Sequence, residues 1–280
     1  MGMRPANRPR SDHEAVGLPI LGELMAGIEL GFLWMSPVFL GYGVPRGDGS
    51  AVVLVPGFLG TDLSLSQLRI WLKRIGYRPY YSGISFNAEC PNLLIRQHLR
   101  AVIQQASDCT KARVHVIGHS LGGTMARAVA AQMPERVASV ITLGSPIRRV
   151  AGHAALLRVA EIVRKGILDR HGCDVLPDCY TANCTCSFLQ SLAGNLPKSV
   201  RLTAVYSKCD GMMDWHACRT GDPDADVEVS ATHIGLVFSP LAYKVMAERL
   251  AGCSSPRQRA GKLILPGRVP CDHSEVAQGR

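Results

Sequence analysis

Residues 114–123 read Val114-His115-Val116-Ile117-Gly118-His119-Ser120-Leu121-Gly122-Gly123. Val114 to Ile117 is a short apolar run with strand character, and a helix-like stretch follows from Leu121 to Met133. Between them lies G-x-S-x-G, a weak pattern alone that gains meaning with a strand before it and a helix after it. The turn has to be very sharp. Gly118 and Gly122 let the backbones pass closely, so Ser120 can sit at the apex in a strained conformation with its hydroxyl presented. The bland alternative is a glycine-rich turn carrying a solvated serine.

The surroundings extend the pattern. Ala51 to Val55 is a continuous apolar run closed by Pro56-Gly57, which reads as a strand buried on both faces. Apolar residues at Leu65, Leu68, Leu72 and Ile75, with Gly76 as a stop, predict an amphipathic helix. Further strands are expected at Tyr77–Tyr81, Val137–Leu143, Leu202–Tyr206 and Val227–Val229. Further helices are expected from Asn92 to Gln105 and from Pro240 to Leu250. Strands alternating with helices predict an α/β fold, a mostly parallel central sheet flanked by helices. Residues 147–198 break the alternation and read as an excursion from the sheet, with a helix-like Leu156–Leu168.

The 280 residues suffice for one large α/β domain, placed at 46–252. Residues 1–15, polar and rich in Arg and Pro, are expected to be disordered, and 253–280 to form a tail. Residues 16–45 read as a hydrophobic N-terminal helical segment. Glu23 and Glu29 interrupt its apolar run, which argues against a membrane span, and no cleavable signal peptide is expected. The segment is read as packing on the domain or lying on a membrane surface, giving a cytoplasmic or peripherally membrane-associated protein. Lys and Arg outnumber Asp and Glu by 31 to 22, a net charge of +9. These basic residues are scattered without an aromatic-rich stripe, so no nucleic acid partner is expected. Cys173, Cys179, Cys184 and Cys186 cluster without the paired spacing of a common zinc site, leaving free thiols or a disulfide-stapled loop. Oligomeric state is not legible.

A serine nucleophile needs a base, and the base an orienting acid, in the chain order Ser, Asp or Glu, His. Of the downstream histidines, His153 and His171 lie in the excursion and His273 in the tail. His216 is close to the suspected acids. His233 falls in a loop just after a strand, where ligands gather in open α/β sheets. The exit of Leu202–Tyr206 offers two acids, Asp210 and Asp214. With Cys209, His216 and Cys218 they also admit a metal-site reading.

These segments together resemble the α/β-hydrolase lipases and esterases, especially small bacterial triacylglycerol lipases. The resemblance rests on Gly118–Gly123, Thr142-Leu-Gly-Ser-Pro146, Val205-Tyr-Ser-Lys-Cys-Asp-Gly-Met-Met-Asp-Trp215 and His233-Ile-Gly-Leu236, in that order over about residues 50 to 250. It implies the α/β-hydrolase fold, with 147–198 as a cap or lid insertion. Ser120 matches the nucleophile in an elbow of Gly118, His119 and Gly122. Asp210 matches the acid, with Asp214 the alternative, and His233 matches the base. The backbone amides of Phe58 and Leu121 match the oxyanion hole. In the Phe58 loop this chain has Pro56-Gly57 where the family usually has His-Gly.

The function so implied is a serine hydrolase cleaving acyl or lipid esters through an acyl-enzyme on Ser120. No metal and no cofactor are expected, and the expected partner is the ester substrate, with peripheral membrane contact. An acyltransferase or thioesterase would use the same triad. A non-catalytic membrane-associated or partner-binding protein on a hydrolase scaffold is the reading from another class. Cys209 and Cys218 stay unexplained by the sequence, with a disulfide bracing the acid loop as one option.

Overall fold

The computed structural model describes residues 13–147, 150–181 and 183–252. Six parallel strands form the central sheet: β2 (Ala51–Val55), β3 (Arg78–Tyr81), β4 (Val114–His119), β5 (Val137–Leu143), β7 (Arg201–Tyr206) and β8 (Asp226–Glu228). Their spatial order is β3-β2-β4-β5-β7-β8. The chain steps outward from β2 to β3, then returns to the other side of β2 at β4. The strand order therefore reverses between β2 and β4, where open α/β sheets place their binding crevice at the strand C-termini.

Every residue of β2 is buried, because both faces of the sheet are covered. Val52 and Leu54 face the core formed by α2 (Ser66–Ile75) and α8 (Pro240–Gly252). Ala51, Val53 and Val55 face α4 (Arg100–Thr110) and α5 (Leu121–Gln132). The helix expected from Asn92 runs as α3 (Pro91–Leu94), a π-helical turn (Ile95–Leu99) and then α4.

The N-terminal segment is less regular than one helix. A 3-10 turn (Ile20–Met25) leads into α1 (Ala26–Met35). It is anchored by Leu33, which is fully buried, by the Trp34 indole on Gln67 (3.1 Å) and by the Trp71 indole on the Val38 carbonyl (2.8 Å). Residues 13–15, expected within a disordered arm, instead lie in strand β1 (His13–Val16). It pairs in parallel with β6 (Val150–His153), the first element of the excursion. Residues 1–12 and the tail from 253, with His273, lie outside the described residues.

The excursion continues as α6 (Ala154–His171) and α7 (Ser187–Ala193). Buried Arg127 of α5 donates to the carbonyls of Leu192 and Gly194, holding the end of α7 against the core. Cys179 meets Cys90, a residue outside the cluster read from sequence, in a small core with Ile167 and Val175. Their contact pulls the Cys90 thiol down and pushes Cys179 up. Both are free thiols, as are Cys184 and Cys186. So are exposed Cys209, beside Ser230, and Cys218, buried against Tyr206 and Met213; no disulfide braces the acid loop.

Candidate active site

Ser120 stands between β4 and α5 with φ 51° and ψ −126°, a left-handed conformation that a non-glycine residue adopts only under strain. The residues two positions to either side, Gly118 and Gly122, must be glycines. A Cβ on Gly118 would overlap the backbone of Gly122 and Gly123, and one on Gly122 would overlap the carbonyls of Val55 and Pro56. Gly57 also lies close to the turn, since an added Cβ would come within 2.9 Å of His119 Nδ1 and 3.1 Å of the Ser120 Cβ. Ser120 is accordingly 8% exposed, less open than an apex position suggests, because the loop after β2 closes against it.

That loop carries Phe58, whose ring sits 6.1 Å from that of Tyr180 in the excursion. Asn87 holds the loop in place. Its backbone accepts from Leu59 N–H (2.9 Å) and donates to Gly60 O (2.8 Å), and its side chain donates to Pro56 O (2.8 Å). Leu121, the first residue of α5, directly follows the serine. Phe58 and Leu59 also line a cavity of about 190 Å³ with Leu65, Ile234, Val237 and Phe238; Gly57 and His119 place it beside the elbow.

The two candidate acids separate cleanly. Asp210 is buried, and its Oδ2 accepts from His233 Nδ1 at 2.7 Å. Its Oδ1 accepts from the N–H groups of Met212 (2.9 Å) and Met213 (2.7 Å). Both carboxylate oxygens are thus satisfied, as a buried charge requires. Asp214 turns instead to exposed His216, accepting from its backbone N–H (3.0 Å) and Nδ1 (2.8 Å). The ligand set suggested by the sequence is therefore spread over different directions. Among the described residues no group of three His, Cys, Asp or Glu side chains could hold a metal ion.

His119, grouped with the elbow by sequence, has a second position of interest. Its ring lies 4.8 Å from that of His233, and its Nε2 is 2.9 Å from the His233 carbonyl. Burial, then the neighbouring His233, hold its pKa down to about 3, so the neutral ring donates from Nε2 to that carbonyl. His153 caps α6 by accepting from Ala155 N–H, and His171 pairs with Glu89. Gly144, inside the Thr142–Pro146 motif, has φ +56°, and a Cβ there would lie 3.1 Å from His233 Nδ1 and 3.2 Å from Asp210 Oδ2. Nothing in the Thr142–Pro146 sequence itself marks its place against the Asp210–His233 pair.

Glu23 and Glu29, which the sequence shows only as interruptions of an apolar run, reach this site. Glu23 Oε1 accepts from Gly211 N–H (2.8 Å) and His233 N–H (2.9 Å), and Oε2 accepts from Ile234 N–H (2.9 Å). Glu29 accepts from the N–H (2.8 Å) and hydroxyl (2.6 Å) of Thr232. The signal was present as two carboxylates inside an apolar run.

The family model for the alpha/beta hydrolase fold matches residues 83–169. A triacylglycerol lipase of Pseudarthrobacter phenanthrenivorans is 37% identical over 105 residues, 35% of this chain and 33% of its own length. One from Burkholderia plantarii is 37% identical over 105 residues, 35% of this chain and 29% of its own. The chain thus spans about a third of the length of these curated relatives. The monoacylglycerol lipase of Paleococcus ferrophilus matches in structure with a TM-score of 0.50 at 14% identity, over 75% of this chain and 97% of its own. The chain has the α/β-hydrolase fold, and about a third of it is similar in sequence to triacylglycerol lipases. In this fold the strained serine, the Asp210–His233 pair and the loop after β2 all lie at the C-terminal ends of β2, β4, β7 and β8.

Proposed function

We propose that this protein hydrolyses carboxylic esters through an acyl-enzyme on Ser120. The observation that supports this best is the buried Asp210–His233 pair, 2.7 Å apart, on the same sheet edge as a serine held at φ 51°. Ser120 Oγ attacks the acyl carbonyl while its proton passes to His233 Nε2. Asp210 fixes the tautomer, holding the proton on Nδ1, and stabilises the imidazolium. The backbone N–H groups of Phe58 and Leu121 receive the oxyanion. The C–O bond to the alcohol then breaks and His233 returns its proton to the leaving oxygen. Water, activated by the same imidazole, resolves the acyl-enzyme and regenerates the serine. The apolar cavity between Phe58 and Phe238 suits the acyl chain.

A fluorophosphonate probe tests the nucleophile. Stoichiometric labelling that maps to Ser120 in the wild type, absent from Ser120→Ala, with hydrolysis of p-nitrophenyl esters lost in parallel, is the expected result. Equal hydrolysis by both proteins rules the mechanism out.

The substrate is delivered from a membrane surface. The N-terminal segment turns its carboxylates inward and its apolar side chains outward: Leu24 is 81% exposed, Met35 74% and Phe32 60%. Leu63 (72%) and Phe86 (54%) extend this character near the loop after β2. An apolar face on a chain of net charge +9, preceded by Arg4, Arg8 and Arg10, complements an anionic bilayer. No helix among the described residues is long and apolar enough to cross a membrane. Flotation with phosphatidylserine vesicles is expected for the wild type and reduced at least about fivefold in Leu24→Ser/Phe32→Ser, each buried apolar side chain contributing about 1.5–3 kcal/mol. Equal flotation of the two proteins removes the membrane from the proposal.

A further inference from the structure

We infer that Glu23 and Glu29 of the N-terminal segment are positioning residues, bracing from behind the two loops that carry Asp210 and His233. The inference rests on the reading of Ser120, His233 and Asp210 given above. It concerns a part of the chain that no α/β alternation includes, since both glutamates precede the first strand of the central sheet.

The geometry is specific. One carboxylate, Glu23, accepts three backbone N–H groups: one from the residue after Asp210, one from His233 itself and one from the residue after it. It therefore ties the acid loop to the base loop through a single rigid group. Glu29 binds both donors of Thr232, the residue before His233, and the Thr232 hydroxyl in turn accepts from Gly235 N–H at 2.9 Å. Space is closed around both contacts. A Cβ on Gly211 would come within 2.7 Å of Pro19 O and 2.9 Å of Glu23 Oε1, and one on Gly235 would overlap the Glu29 carboxylate. A purely structural anchor would have many cheaper solutions, because a carboxylate leaves water only at a cost that full hydrogen bonding must offset. Here the bonds all fall on residues adjoining the acid or the base.

The consequence is catalytic. His233 must keep its Nδ1 on Asp210 while its Nε2 serves Ser120, and an error of about 1 Å in such a group can cost about 10²-fold in rate. His119 holds the His233 carbonyl on one side, and Glu23 holds its N–H on the other. The peptide on each side of the base is thereby constrained. Neither Glu23 nor Glu29 lines the cavity proposed for the acyl chain, so loosening them lowers kcat and leaves KM alone.

The test compares Glu23→Gln, Glu23→Ala and Glu29→Gln in the full chain, with thermal melting to show folding. Glutamine keeps one acceptor oxygen for Gly211 and His233 but turns an NH2 toward Ile234 N–H. The expected kcat falls are about 10-fold for Glu23→Gln and about 10²-fold for Glu23→Ala, with KM within about twofold. The downfield proton of the His233–Asp210 hydrogen bond should broaden or shift in the same order. Thr232→Ser, which keeps the hydroxyl, should retain wild-type kcat, while Thr232→Val, of the same shape, should lose it as Glu29→Gln does. If Glu23→Ala does not fold, Glu23→Gln and the Thr232 pair decide. Wild-type kcat and an unshifted proton resonance in folded Glu23→Gln, or a loss confined to KM, overturn the inference. A wild type that neither labels at Ser120 nor cleaves esters would instead overturn the mechanism beneath it.

Discussion

Asp210→Asn is expected to lower kcat on a p-nitrophenyl ester by about 10⁴-fold, while Asp214→Asn stays within about twofold of wild type. The contrast follows from which atoms each carboxylate serves. Asn at 210 can keep its oxygen on the N–H groups of Met212 and Met213, so the loop keeps its fold. What changes is the second atom, which becomes an NH2 facing His233 Nδ1 in place of the acceptor at 2.7 Å. The imidazole must then accept at Nδ1 and carry its proton on Nε2, the tautomer that cannot take a proton from Ser120. KM should barely move, because neither side chain lies in the cavity. At position 214 the partner is the exposed His216, and Asn retains an oxygen for its backbone N–H. The measurement is steady-state kinetics on both variants beside the wild type. The reverse pattern would move the acid to Asp214, and full activity in both would dismiss the triad.

Much of this architecture is legible in the chain because its signals are local. β2 is a continuous apolar run buried on both faces, β4 and β5 are rich in buried valine and isoleucine, and the glycines around Ser120 announce a close backbone approach before any partner is known. The choice between Asp210 and Asp214 was not local. Both leave the same strand, and their separation depends on where His233 arrives from beyond β8. The N-terminal brace was invisible for a further reason. Its bonds join Glu23 to backbone N–H groups 188 to 211 residues away, and backbone donors carry no sequence signature. The polarity of the segment is also inverted. Reading apolar residues as inward and acids as outward turns Glu23 and Glu29 into interruptions, whereas Leu24 and Phe32 are the exposed ones. The pairing of β1 with β6 escaped for a related cause, since a four-residue parallel pair spans more than a hundred residues without a period to reveal it.

Gly122→Ala should be strongly disruptive. The added Cβ would press on the carbonyl oxygens of Val55 and Pro56, both backbone atoms, so no side chain can swing aside to admit it. Relief requires α5 to move away from the end of β2. That motion separates Ser120 from the Gly57–Phe58 loop and widens the gap between the two proposed oxyanion donors. Overpacking against rigid backbone costs about 3 kcal/mol, which for a domain of this size lowers Tm by about 6–12 °C. Activity should fall further than stability, because the displaced groups are those proposed to meet developing charge. Gly27→Ala is the matched comparison. Gly27 lies within α1, no atom stands within 4 Å of an added Cβ, and the residue has no left-handed φ. Replacing it should leave Tm unchanged or raise it slightly, since alanine favours the helix by about 1 kcal/mol over glycine. Calorimetry and ester hydrolysis on the pair separate close approach at the elbow from a general intolerance of substitution. A Gly122→Ala protein that melts and turns over like Gly27→Ala would show that the elbow is looser than its backbone contacts imply.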